Sequence, residues 1–317
     1  MRLKTAVLGF LFMLGGSATV FAGPWFTGPI FAPAGHTIPK GHTNFEMYGL
    51  DIYTRGRYTD TGQIVRFPVI MTTVANPILT HGFTDWFDVQ LGIPYLFNAT
   101  RDIAFNRLGD VSVAAGFQLA EQKQNRGLPD IRLMFAETVP TGRFEDLIPE
   151  LAGMDSTGYG TYQNQITLNF QHVKTLFQTH YLRTRLALSA YHFSPVHIHG
   201  FNSYGGDATT DGVIEAGAEW DADLAFEYTV TQNWVAVMEG YISKGQSTRF
   251  HNNNAVKTET GDQVVIGNGS YREIVLAPAI EYNFSGNIGV IGGVWFPVNG
   301  KNTSKYLGYC LALNAYW

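Results

Sequence analysis

The chain closes on Tyr306-Leu307-Gly308-Tyr309-Cys310-Leu311-Ala312-Leu313-Asn314-Ala315-Tyr316-Trp317. Side chains alternate between faces along a strand, so Leu307, Tyr309, Leu311, Leu313, Ala315 and Trp317 share one face, apolar or aromatic throughout. Gly308, Cys310, Ala312 and Asn314 share the other, which is small or polar. Such a run fits a strand with lipid on the first face and a lumen on the second. It fits equally the buried last strand of a soluble sandwich, and the rest of the chain must decide.

At the other end, Arg2 and Lys4 precede an apolar stretch from Ala6 to Leu14, followed by Gly15-Gly16-Ser17 and Val20-Phe21-Ala22. A charged start, a short apolar core and a small-residue cleavage site predict a signal peptide over residues 1–22. The core falls short of the roughly 20 residues a spanning helix needs, and no later apolar run approaches that length. A bilayer protein without apolar helices must be a closed barrel, because lipid satisfies no free backbone polar group. The terminal aromatic is similar to the C-terminal signature of bacterial outer-membrane barrels, which implies recognition of the last strand by the barrel-assembly machinery.

Composition agrees. Charged residues make up 15% of the chain, against about 25% in an ordinary soluble domain. Aromatics make up 14%, and glycine is abundant. One cysteine, Cys310, excludes an intrachain disulfide framework. The net charge of -5, with no basic block or nucleic-acid motif, argues against a nucleic-acid partner.

Twelve strand-like segments are predicted near residues 42–54, 66–78, 83–95, 109–122, 128–140, 160–173, 176–192, 215–229, 232–245, 270–284, 287–297 and 305–317. The connections between them alternate. Long ones cover 55–65, 96–108, 141–159, 193–214, 246–269 and 298–304; short ones cover 80–82, 123–127, 174–175, 230–231 and 285–286. Long outer loops, tight periplasmic turns and an even strand number define a transmembrane up-and-down antiparallel β-barrel. Segment 215–228 shows the face pattern most clearly, with Glu215, Glu219, Asp221, Asp223 and Glu227 opposite Trp220, Leu224, Phe226 and Tyr228. Tyr228, Trp234, Tyr282, Phe284 and Trp317 are expected to form an interfacial girdle at the periplasmic ends. Asp51 shares the outward parity of Phe45 and Met47, so a bulge or an early exit from the membrane is expected there.

Residues 23–41, with four prolines, cannot be a membrane strand. They should form an extended periplasmic lead-in or plug, with Trp25, Phe26, Ile30 and Phe31 available to dock in the mouth, or else a mobile tail.

Several motifs carry a family resemblance. They are Leu108-Gly109-Asp110-Val111-Ser112-Val113, Arg132 to Arg143 with its Pro140-Thr141-Gly142 end, Gly158 to Gln163, and the closing hairpin from Ala277 to Val298. Together they resemble the outer-membrane transporters associated with the meta-pathway of phenol degradation, over roughly residues 105–317. The resemblance implies a barrel and a transport role; the Pro-rich segment lies outside it.

The projected lining is acidic: Glu46, Asp88, Asp110, Asp130, Glu215, Glu219, Asp221, Asp223, Glu227, Glu239, Glu273 and Glu281 against Arg132, Arg183 and Arg185. Such a lining favours cations. The selectivity candidates are Arg132, Arg183, Arg185, Glu215, Glu219, Asp221, Asp223, Glu227 and Glu239. Arg183 and Arg185 are expected to pair with Asp221 and Asp223, either as a constriction or as a rigidifying ladder. His192, His197 and His199, with Ser194, Ser203 and Asp207 nearby, match no barrel-hydrolase arrangement, and no metal or cofactor is expected. The leading expectation is an outer-membrane channel for small, including aromatic or hydrophobic, solutes. The alternative is a structural or surface-binding protein acting through its long loops, and an enzyme ranks last.

Overall fold

A computed structural model describes residues 23–123, 127–177, 179–251 and 266–317. The expected signal peptide, the centre of loop 246–269 and the tip of turn 123–127 lie outside the described residues. The strands are β1 Thr43–Tyr58, β2 Ile64–Thr84, β3 Phe87–Gly92, β4 Tyr95–Thr100, β5 Ile103–Leu108, β6 Val111–Ala120, β7 Asp130–Val139, β8 Gln163–Leu176 and β9 His180–Phe193. They continue with β10 Val196–His199, β11 Asp211–Glu215, β12 Glu219–Thr229, β13 Trp234–Gly245, β14 Arg249–His251, β15 Tyr271–Asn283, β16 Ile288–Lys301 and β17 Ser304–Tyr316.

The wall is a closed, antiparallel barrel of twelve strands. β3 and β4 make one stave, interrupted at Ile93-Pro94, and β5 and β6 make another, interrupted at Gly109-Asp110. Closure joins β1 to β17 from Asn44 opposite Tyr316 to Arg57 opposite Ser304. Thr43 and Trp317 finish the seam by exchanging backbone hydrogen bonds of 2.7 and 3.0 Å.

The opening alternation is realised on this seam. Leu311 is 67% exposed, while its neighbours Cys310 and Ala312 are 5% and 3% exposed. The same contrast sets outward Leu224, Phe226, Met238 and Ile280 against inward Ala225, Val237 and Glu281. Large apolar side chains circling the whole wall would aggregate in water; in lipid they are the stable outer surface. At the end carrying the short turns, Trp234 and Phe284 flank Tyr282, with the Trp234 and Tyr282 rings 4.7 Å apart. Trp317 is exposed at the same end, and Tyr228 stacks on His180.

Several boundaries differ from expectation. Thr80-His81-Gly82 lies inside β2, and the turn falls at Asp85-Trp86. Gly82 serves a crossing instead: a Cβ there would overlap the carbonyl oxygens of Ile38 and Pro39. Segment 96–108 is mostly the β4–β5 hairpin, and 298–304 is a tight turn at Asn302-Thr303. Loops 193–214 and 246–269 contribute β10, β11 and β14, a separate three-stranded sheet at the loop end. Asp51 stays on the outward face with no bulge at its position, since the β1 irregularity comes later, between Thr54 and Gly56. Its carboxylate accepts a 2.6 Å bond from Thr73 Oγ1, and it sits opposite Tyr309, at the level of the Tyr53 and Tyr309 rings.

Three of the four motifs behind the family resemblance meet at one corner of the loop end. Asp110 accepts backbone hydrogen bonds from Gly142 (2.8 Å) and Tyr159 (3.0 Å). Thr141 Oγ1 donates to the Gly109 carbonyl at 2.6 Å and accepts from the Val111 N–H. The Thr141 contacts satisfy backbone groups that the β5–β6 break leaves without ladder partners.

Candidate functional site

Residues 23–41 run through the bore as a strap rather than along a strand. Proline-rich chain has few ladder partners of its own, so its N–H groups must find acceptors elsewhere. The wall supplies them, stave by stave. Gln232 holds the Gly23 carbonyl, and Asn283 holds that of Trp25. Glu281 accepts from Thr27 (2.7 Å) and Gly28 (3.2 Å). Glu239 accepts from Ile30 (2.9 Å), Phe31 (3.1 Å) and Ala32 (2.6 Å). Arg185 then donates to the Ala32 carbonyl at 2.9 Å, and Gln171 meets Gly35 and His36. Farther on, Gln118 accepts from Thr37, Asp88 from Ile38 and Asp85 from Lys40.

These partners lie on β15, β13, β9, β8, β6 and β3 in their order around the barrel, so the strap follows the inner wall along that arc. Its apolar side chains pack against the β13–β15–β16 wall. Ile30 and Phe31 join a cluster with Val235, Val237, Val275, Ile291 and Trp295. The Phe31 ring stands edge-on to Tyr241 and Trp295, at centroid distances of 5.4 and 5.6 Å.

Charge on this arc is consumed by structure. Arg183 forms a bidentate pair with Glu227, and its guanidinium lies 4.2 Å over the Phe26 ring. Arg185 approaches the same carboxylate at 3.4 Å. Arg132 binds Asp88 at 2.6 Å; the pair spans β6 where Gly116 leaves room that a Cβ would fill. All these groups are buried, where an ion is stable only when paired and hydrogen-bonded.

The expected pairing of Arg183 and Arg185 with Asp221 and Asp223 is corrected by register. Arg183 stands opposite Glu227 and Arg185 opposite Ala225, whereas Asp221 and Asp223 face Ser189 and Ala187. Both aspartates project inward farther toward the loop end, each with one buried oxygen lacking a hydrogen-bond partner. Glu219 lies beyond them, within reach of Ser243 Oγ. Glu215 is not in the wall at all. It belongs to β11 in the loop-end sheet, where its carboxylate is 3.1 Å from His251. Glu239 and Arg132 face the lumen with the roles just described. Alternation alone puts Gln118 and Gln171 on the inward face, but neither they nor Asn283 stands among the candidates, because parity gives no sign that an amide holds the strap.

Two cavities in the bore are bounded by described residues. At the turn end, a space of about 530 Å³ lies between the strap and the arc of β17, β1 and β2. Tyr48, Leu50, Ile78 and Tyr316 line it together with Glu46 and Asn314, and Asp88, Arg132, Arg183 and Arg185 border it from the opposite arc. At the loop end, a vestibule of about 810 Å³ is bordered by Tyr58, Glu219, Tyr271 and Glu273. Between them stand Phe31 and Tyr241, the latter's hydroxyl 3.2 Å from both Glu273 and the Tyr306 hydroxyl.

The loop serines make no contact with histidine in these bonds: Ser203 Oγ engages Ser156 and the carbonyls of Phe144 and Gly158, and Ser194 Oγ accepts from the Tyr162 N–H.

A closed twelve-stranded barrel with an apolar outer band and a polar, partly filled bore is a bacterial outer-membrane β-barrel. No protein-family model matches the chain, and no curated protein sequence does. Among solved structures it is similar to the COG4313 outer membrane channel from Pseudomonas putida F1. That match has 14% identity and a TM-score of 0.67, over 89% of this chain and 97% of that one. Looser matches include the NanC porin, with 8% identity and a TM-score of 0.42 over 85% of this chain and 98% of that one. Another is the translocator domain of the autotransporter NalP from Neisseria meningitidis, with 8% identity and a TM-score of 0.41 over 86% and 88%. The first likeness extends to the barrel as a whole, which is a statement about fold.

Proposed function

We propose that the protein is a passive outer-membrane channel for small solutes, with its path between the strap and the β17–β1–β2 arc. The observation that carries this reading is the one-sided course of the strap. It satisfies its backbone against one arc of the wall and leaves a cavity of about 530 Å³ toward the other, bordered also by the paired Asp88, Arg132, Arg183 and Arg185. An apolar cavity of roughly 150 Å³ already holds benzene, so the space suits a monoaromatic solute with polar substituents. Tyr48, Leu50 and Ile78 offer apolar contact, and Glu46 and Asn314 offer polar contact. The resemblance to transporters of the phenol meta-pathway and the likeness to a solved outer-membrane channel both favour this reading.

The ionic preference follows from which charges remain free. Glu281, Glu239, Asp88 and Glu227 are taken up by the strap and the arginines. Glu219, Asp221, Asp223 and Glu273 have no arginine or lysine partner among the described residues. They would give the loop-end half of the path a cation-favouring field.

The test is single-channel conductance in a planar bilayer under a salt gradient, for the whole barrel and for a variant lacking residues 23–40. A small, cation-favouring conductance that rises several-fold on deletion is expected. Silence from both proteins, with heat-modifiable migration showing folded barrels, would overturn the proposal.

A further inference from the structure

The loop-end sheet has two unlike faces. Cross-strand partners in an antiparallel sheet point to the same side, so its inner face collects Val196, Ile198 and Ile214, and Phe250 opposite Ile214. Ile198 and Ile214 are fully buried, and Phe144, Tyr204 and Ile266 pack against them. The outer face collects His197 and His199 from β10, and Asp211, Val213 and Glu215 from β11, with His251 from β14. A solvated face needs polar residues; two imidazoles and a carboxylate drawn together are a narrower choice.

We propose that His197, His199 and Asp211 form a binding site for a divalent transition-metal ion, of the Zn²⁺ class, on the loop end of the barrel. His199 stands directly opposite Asp211 in the ladder, and His197 is two residues along on the same face. Their rings are 4.4 Å apart, with His197 Nδ1 and His199 Nε2 at 3.0 Å. Asp211 Oδ1 is 3.3 Å from His197 Nε2 and 3.4 Å from His199 Nδ1. One donor atom taken from each residue gives three atoms within 4.8 Å of one another. Donors bound at about 2.0–2.2 Å around a tetrahedral ion stand roughly 3.3–3.6 Å apart, so modest ring rotation closes the set.

Donor chemistry selects the metal. Imidazole suits Zn²⁺, Cu²⁺ and Ni²⁺, whereas Ca²⁺ and Mg²⁺ take oxygen ligands. The three side chains are more than half exposed, which leaves the remaining coordination positions to water. The backbone beneath them is fixed by the buried isoleucines and by Glu145, whose carboxylate accepts from the His199 N–H at 3.2 Å. Ligands placed on a seated sheet lose little freedom on binding.

The site is tested on the untagged chain in detergent micelles, by calorimetric titration with Zn²⁺ in excess Ca²⁺ and Mg²⁺ and by the visible spectrum of added Co²⁺. The expected result is one ion per chain in the unmodified protein. Binding should disappear in the His197→Ala/His199→Ala variant and weaken by about tenfold or more in Asp211→Asn. His251→Ala should bind as the unmodified protein does. Heat-modifiable migration confirms that each variant is folded. Absence of Zn²⁺ binding to the unmodified barrel, undiminished binding by the double variant, or equal loss in His251→Ala would overturn the assignment.

Discussion

The bore has two unlike arcs. Along β15, β13, β9, β8, β6 and β3 the inward face carries carboxylates, arginines and amides committed to the strap or to one another, beside the apolar Val235, Val237 and Val275. Along β17, β1 and β2 the inward residues are Glu46, Tyr48, Leu50, Ile78, Asn314 and Tyr316 around a cavity. Asp88, Arg132, Arg183 and Arg185 of the first arc also border that cavity, so the difference lies in what the side chains are tied to: the ions are paired or hold the strap, whereas the residues of the second arc do neither. Buried ions on the first arc hold an irregular chain that has no ladder of its own, and the quieter arc is left to meet whatever passes.

Removing Arg183 should separate the arcs most sharply. Arg183→Ala leaves Glu227 buried with only Arg185 nearby at 3.4 Å. Breaking a buried pair by removing one partner costs about 3–5 kcal/mol. The midpoint of heat-modifiable unfolding should fall, and conductance should become noisy as the strap loses the cation over Phe26. An unchanged midpoint would mean that the arc is not held by its ions.

Next in size is Glu239→Ala, which strips the acceptor from Ile30, Phe31 and Ala32 at once. Each buried unmet donor costs about 1–3 kcal/mol, so the strap should release this stretch while the barrel wall stays folded. Conductance should approach that of the strap deletion. A variant as quiet as the unmodified protein would place the constriction elsewhere.

On the other arc, Leu50→Trp adds bulk to the cavity wall without touching an ion pair. Little change in stability and a reduced conductance are expected. Glu46→Gln should lower cation preference by a smaller amount, read as a shift of reversal potential toward zero. Large destabilisation by either would contradict the division of labour.

The barrel was legible because lipid and lumen impose opposite demands on alternate residues, as Leu311 and Cys310 show. Register was not legible. Parity puts Arg183, Arg185, Asp221, Asp223 and Glu227 on one face but is blind to a slide by two residues, and that slide decides which carboxylate each arginine meets. Glu215 misled for a related reason. The alternation through Glu215, Gly217 and Glu219 continues unbroken while the chain leaves the wall for the loop-end sheet. Gly82 read as a turn because a glycine needed for the close passage of Ile38 and Pro39 looks the same in one dimension. The strap's apolar residues announced docking; the carboxylates that receive its N–H groups gave no local sign, since an inward acid reads the same whether it faces water or a backbone.

Acidification supplies the gentlest way to loosen the first arc. His36 is the strap's one histidine and accepts a hydrogen bond at Nδ1 from Gln171 Nε2 at 3.0 Å. Its ring is exposed to the cavity, yet enclosure within the bore, reinforced by Arg185, Arg183 and Arg132, pushes its pKa down to about 3, from about 6.5 in the free chain. A released strap therefore takes up a proton below pH ~6.5, whereas the seated strap does not until about pH 3. The contribution of the neutral imidazole to seating is complete above pH ~6.5 and declines as the pH falls toward 3. Conductance should rise progressively over that window in the unmodified protein. His36→Gln, which cannot take up the proton, should hold its conductance flatter over the same range. An equally steep rise in that variant would assign the response to carboxylates along the bore and detach it from the strap.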